Sequence, residues 1–131
     1  MTSPDNFHIH IKTKSNPSPD RLLFASIKEA ILGKDYDLAV ILTTPKETQR
    51  LNRDYRQKDS PTDILSFPIN SFEGEIYLDI ETAKVEAPKF DRPIENFLPF
   101  LFIHGCLHLK GMAHGSTMEK IEAKFRKEFG I

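Results

Sequence analysis

The residues of this chain best placed to do chemistry are three histidines near its C-terminal end, His104, His108 and His114. The first pair stands four positions apart, so on a helix both imidazoles project from one side, a turn apart, in a chelating arrangement. Gly111 follows three residues later and is free to take a left-handed conformation that turns the chain, which lets His114 swing back toward the pair. Three neutral imidazoles suit one zinc ion. They leave a fourth tetrahedral position for water, which is the pattern of a catalytic site; a structural site closes its shell. Chance is a poor explanation: five histidines in 131 residues give roughly 0.007 expected occurrences of this spacing.

Two alternatives bear on the site. Cys106 lies between the first two histidines and is the one cysteine of the chain, so no internal disulfide forms and no oxidising compartment is implied. On a helix beginning near Phe97 it falls roughly 200° around from His104, which favours packing; on the metal it would instead make the site structural. The spacing also matches that of metzincin peptidases, but their general-base glutamate follows the first histidine, and here that residue is Gly105. A metallopeptidase-like hydrolase therefore stays only as the weaker enzymatic reading.

The elements that must position these groups can be read along the chain. FHIHIK alternates as a strand with His8 and His10 on one half-exposed face, and SNPSPD is a turn. Asp20 or Ser18 caps a helix carrying Leu22, Leu23, Ile27, Ala30 and Ile31 and ending at Gly33. DLAVILTT is a buried strand. Thr44 and Pro45 open a second helix that runs to about Arg56. TDILSFPI, closed by Pro68, and GEIYLDI form an antiparallel pair across the loop NSFEG, ETAKVE is a loop or short helix, and APKFDRP is irregular. A central apolar helix around Leu98, Leu101, Phe102, Ile103 and Leu107 then carries the histidines, with Pro99 tolerable only near its first turn. A last helix from about Ser116 presents Met118, Ile121, Phe125 and Phe129 as one buried stripe that covers the sheet's remaining side. The expected fold is α+β: a small, mixed, four-stranded sheet packed against helices, with the metal site at the end of the central helix.

Composition sets the outer bounds. The length predicts one domain over residues 1–131, and 39% apolar with 28% charged residues is a globular balance. The N-terminus has no charged start followed by an apolar run, and no stretch is long and apolar enough for a membrane helix, so a cytoplasmic protein is expected. A net charge of −1 excludes a global basic field of the kind that coats nucleic acid. Positive charge is local instead, with Arg50, Arg53, Arg56 and Lys58 within RLNRDYRQK.

At this point the motifs resemble a known family. HGCLHLKGMAH is similar to the H-G-x-L-H-L-x-G-y-D-H motif of YbeY proteins, and NRDYRQKDSPTDILSFP to that family's N-x-x-Y-R-x-x-D-x-P-T-D-V-L-S-F-P segment. GEIYLD resembles its G-D-I-x-I-S strand, so the likeness runs in order from about Asn52 to the C-terminus, while the first half agrees only in its order of elements. The resemblance implies an α+β fold with one zinc ion at the end of a cleft, and single-strand-specific endoribonuclease activity. It also implies a role in ribosomal RNA maturation and ribosome quality control, with ribosome components as partners. By motif position His104, His108 and His114 correspond to the zinc ligands and Arg56 to the arginine facing them. One departure stands out: Ala113 occupies the place of the family's Asp beside the third histidine, where the loss of an outer carboxylate can alter affinity or activity.

For phosphodiester cleavage a guanidinium beside the metal has an evident task, since charge grows on the non-bridging oxygens. Arg56 is the catalytic candidate; the opposing reading pairs it with Asp54 or Asp59. Asp63 and Ser66 are candidates to position substrate or a ligand histidine, against readings as a turn cap and a strand hydroxyl. Phe67 and Tyr77 are placed either to stack unpaired bases or to pack. Glu75 and Asp79 share a strand face, with nothing tying them to the metal. A third class of function, a ribosome-associated binding protein with a structural zinc, stands if Cys106 closes the shell.

Overall fold

The computed structural model describes residues 6–131; the first five residues, part of the N-terminus read as leader-free, lie outside the described residues. Four strands, β1 (Phe7–Ile11), β2 (Asp37–Thr43), β3 (Ile64–Asn70) and β4 (Glu73–Asp79), form one sheet in the order β1-β2-β4-β3. The first two pairings are parallel, and β3 runs antiparallel to β4 as an edge strand. Five helices accompany them among the described residues: α1 (Arg21–Leu32), α2 (Pro45–Arg56), α3 (Ile80–Glu86), α4 (Ile94–Leu109) and α5 (Ser116–Phe129). The α+β architecture and mixed four-stranded sheet expected from the sequence are present.

Period-two alternation sorts the sheet into two faces. Leu38, Val40, Leu42, Ile76 and Leu78 join Phe24, Ile27 and Ile31 of α1 and Phe102, Ile103 and Cys106 of α4 in the main core. On the opposite face Ile41 and Leu65 are buried, as is Leu51 of α2, outside that core. The parallel β1–β2 and β2–β4 pairs need crossovers, which α1 and α2 supply.

Helix starts follow local chemistry. Asp20 accepts from the Leu23 N–H at 3.2 Å, and Thr44 from the Glu47 N–H at 3.4 Å with Pro45 at the first helical position. Asp79, which the sequence left unassigned, is fully buried and caps α3: it accepts from the Thr82 N–H at 3.0 Å and from the Thr48 hydroxyl at 3.0 Å. Thr48 in turn accepts from the Thr62 N–H, and the Asp79 N–H donates to the Asp63 carbonyl at 2.9 Å. This network ties α2, β4 and the loop before β3 together, fixing the segment that carries Asp63.

ETAKVE takes the short-helix reading, as α3, and the stretch after it, expected to be irregular, begins with a 3-10 turn over Ala87–Phe90. Three expectations require correction. β3 does not stop at Pro68 but continues to Asn70, because an edge strand tolerates a missing donor and the pairing shifts register between Pro68 and Asn70. α4 begins at Ile94, which puts Pro99 in its second turn, where one helical hydrogen bond is forfeited; ten buried residues of this helix offset that loss. Finally, α5 does not cover the other face of the sheet. It packs on α4, with Met118 and Glu122 buried and Ile121, Phe125 and Phe129 only partly so.

Candidate metal centre

The three histidines converge. One ring nitrogen from each of His104, His108 and His114 lies within 4.8 Å of the others. His104 and His108 sit one turn apart near the end of α4, and His114 is brought back by the turn at Gly111, whose φ of 98° is a conformation that glycine adopts freely. His114 is exposed, on the loop between α4 and α5, whereas the two helical imidazoles are half-buried.

The outer atoms decide what the inner ones offer. His104 Nδ1 donates to Glu122 Oε2 at 3.0 Å, and His108 Nδ1 donates to the Met112 carbonyl at 3.1 Å. Those partners assign the Nδ1–H tautomer to both rings, which leaves both Nε2 lone pairs facing each other 3.0 Å apart. Two facing lone pairs repel unless a cation or proton sits between them. Imidazoles on tetrahedral zinc stand about 3.3 Å apart, from N–Zn bonds of about 2.05 Å, so this pair is already close to ligand geometry. Burial, and then the neighbouring His104, hold His108 below the ordinary histidine pKa, which keeps it in the neutral form a metal requires. The residues present therefore fit a zinc ion.

Glu122 is the member of the site that sequence reading missed. It sits on α5 among Met118, Ile121 and Phe125 and is 8% exposed, an ionisable residue in an apolar stripe. That position was its one signal. A carboxylate on the outer nitrogen of a ligand histidine fixes the ring's orientation and tautomer, and Glu122 supplies this to His104 although Ala113 stands where the resembling family has Asp.

Gly105 has a packing reason. A Cβ there would stand 2.9 Å from Ile64 Cδ1, 3.0 Å from Ser66 Oγ and 3.2 Å from Ile76 Cδ1. α4 thus lies directly on β3 and β4 at the level of the histidines, and Ser66 Oγ donates to the Gly105 carbonyl at 3.2 Å. Cys106 is fully buried in the main core, where burial raises its thiol pKa far above the usual range. It is not part of the histidine cluster.

A cleft of about 860 Å³ opens over the histidines, lined on one side by Arg56, Asp63 and Ser66 and on the other by Phe90, Phe100 and Glu122. Arg56 ends α2 and is exposed; Asp54 pairs with Arg50 and Arg53, and Asp59 with Arg53, so among the described residues no carboxylate holds Arg56. Asp63 has its pKa raised by burial and by Glu86, against the lowering effect of its own and Ile64's backbone N–H groups and of His104. Phe67 also lines the cleft and contacts Tyr55 and Tyr77 edge-on at 5.3 and 5.7 Å. Tyr77, Glu75, His8 and His10 are not among the lining residues. His8 and His10 stack on each other at 6.3 Å on their half-exposed strand face, as the alternation indicated.

Comparison with known proteins agrees with this geometry. The family model described as "Endoribonuclease YbeY" matches residues 8–129. A protein of that name from Solibacter usitatus is 32% identical, covering all of this chain and 93% of its own length. Another, from Colwellia psychrerythraea, is 36% identical over 76% of this chain and 72% of its own. A solution structure of a Thermotoga maritima protein superposes with a TM-score of 0.61 at 29% identity, covering 94% of this chain and 88% of that one. The match spans the strands, the loop that holds Asp63 and the histidine-bearing helix alike, and this chain belongs to the YbeY family.

Proposed function

We propose that this protein is a zinc-dependent, single-strand-specific endoribonuclease that acts in the cytoplasm on ribosomal RNA during ribosome maturation and quality control. The observation that carries the reading is the convergence of three ligand-ready imidazoles in an open cleft beside an uncompensated arginine. Family membership supplies the substrate class. Among the described residues no helix is long and apolar enough to cross a membrane.

His104, His108 and His114 would hold the ion, which when bound supplies Lewis acidity and a water made nucleophilic at neutral pH. The rest falls to side chains. Glu122 and the Met112 carbonyl keep Nε2 of His104 and His108 turned inward. Arg56 binds a non-bridging phosphoryl oxygen, whose charge rises toward the transition state. Asp63, with its pKa raised, is suited to hold a proton for the departing oxygen. Ser66 braces α4 through the Gly105 carbonyl, which makes it a positioning residue in this scheme.

The peptidase reading loses support at Gly105, since a glutamate there would have to displace Ile64 and Ser66. A structural zinc lacks its fourth ligand with Cys106 in the core. The test is cleavage of a single-stranded RNA by wild type, by wild type with chelator, and by Arg56→Ala. Cleavage abolished by chelator and reduced at least about tenfold in kcat by Arg56→Ala is the expected outcome; chelator-resistant cleavage would contradict the metal's role.

A further inference from the structure

One turn before His104 on the same stripe of α4 stands Phe100, and one turn after Glu122 on α5 stands Arg126. The two helices meet at both levels: Glu122 reaches His104, and the Arg126 guanidinium lies 5.4 Å from the centre of the Phe100 ring. Arg92, from the segment preceding α4, covers the same ring at 4.3 Å, held there by a hydrogen bond to Asn96 Oδ1. Two half-buried guanidiniums therefore share one aromatic ring. Among the described residues neither is within ion-pairing distance of a carboxylate. Burial and the charge of Arg126 both work against Arg92's ionised state. Like charges held together without an acid form a preset seat for an anion.

Phe90 completes the arrangement. Its ring lies 5.5 Å from Phe100 and 5.2 Å from Phe97, lines the same cleft as the histidines, and is 50% exposed. An exposed aromatic face beside paired arginines is the combination with which proteins hold unpaired nucleotides, the ring taking the base and the guanidinium the phosphate. The displacement from His104 to Phe100 is about 6 Å along α4, comparable to one nucleotide step.

We propose that Phe90 and Phe100 of the cleft wall, with Arg92 and Arg126 against Phe100 just outside the lining, form a second nucleotide subsite at the cleft's edge, which grips a phosphate and an unpaired base of the substrate next to the one at the histidines. This rests on the reading of the cleft as an RNA site. It assigns α5 two tasks one turn apart: orienting a ligand histidine and holding the strand.

The test is fluorescence anisotropy of the full chain with a dye-labelled, cleavage-resistant 2′-O-methyl single-stranded oligonucleotide at several salt concentrations. Arg92→Met and Arg126→Met keep an apolar stem over Phe100 while removing charge. Each is expected to weaken binding about fivefold and to lower the slope of log affinity against log salt by about 0.7. Phe90→Leu should weaken binding and leave the slope unchanged, and Arg126→Lys should keep the slope. If the Met variants fail to fold, Arg126→Lys and Phe90→Leu, compared with wild type, still decide: unchanged affinity in Phe90→Leu then overturns the proposal. Wild-type binding with full affinity and slope retained in folded Met variants overturns the subsite alone. A wild type that does not bind the oligonucleotide overturns the RNA reading and the subsite with it.

Discussion

The two halves of the candidate metal centre are built differently. His104 and His108 ride on α4, half-buried, with Nδ1 of each committed to Glu122 or to the Met112 carbonyl and with the helix seated on β3 and β4 through Gly105. His114 comes from an exposed loop after a glycine turn. The fold presets two ligands, and the third is carried where adjustment costs little. Such a division keeps the open face of the site, where substrate must enter, on the more yielding side.

The largest effect should come from the ligands themselves. Alanine at His104, His108 or His114 should each weaken zinc binding by at least about a hundredfold, measured by competition with a chromogenic chelator. The metal-free proteins should then separate the halves. His104→Ala leaves the Glu122 carboxylate buried without its partner and should cost about 1–3 kcal/mol in urea denaturation, while His114→Ala should stay within about 0.5 kcal/mol of wild type. Equal costs would erase the distinction.

Next in size is Glu122→Gln. It removes the charge behind His104 but keeps a hydrogen-bond acceptor, and should lower zinc affinity about 10–100-fold with little change in secondary structure by circular dichroism. Gly105→Glu attacks the seat of the preset half. Overpacking against Ile64 and Ser66 should cost about 1–3 kcal/mol, with burial of a carboxylate adding to it, read as a lower denaturant midpoint.

The smallest effect concerns the cleft wall opposite. Asp63 has its folded pKa raised, so the folded state holds that proton more tightly than the unfolded chain. Its contribution is fully present below the unfolded value of about 3.9 and is lost as pH rises through the raised folded value. Asp63→Asn should therefore be more stable than wild type at neutral pH, and the advantage should vanish in acid. Thermal midpoints at the two pH values would show it; a loss of stability at neutral pH would mean that the ionised carboxylate is needed.

Much of this was legible in the residues because local rules dominate there. The helical spacing of His104 and His108, the caps at Asp20 and Thr44 and the apolar run of β2 depend on near neighbours, and all are present as read. What escaped depends on partners distant in sequence. Glu122 interrupts the apolar stripe of α5, but its partner His104 is not visible until α5 is laid against α4. Arg92, in a segment that reads as irregular, meets Arg126 only through Phe100. Gly105 reads as a missing general base, whereas its lack of a Cβ is what lets α4 touch the sheet. Pro99 is tolerated in the second turn of α4 by burial that its own position does not reveal.

The most direct measurement is elemental analysis of metal in the purified protein, wild type against His108→Ala. About one equivalent of zinc in the wild type and much less in the variant is the result predicted here. No metal in the wild type under conditions that do not strip it, or equal metal in both proteins, would contradict the metal centre and the catalytic reading built on it.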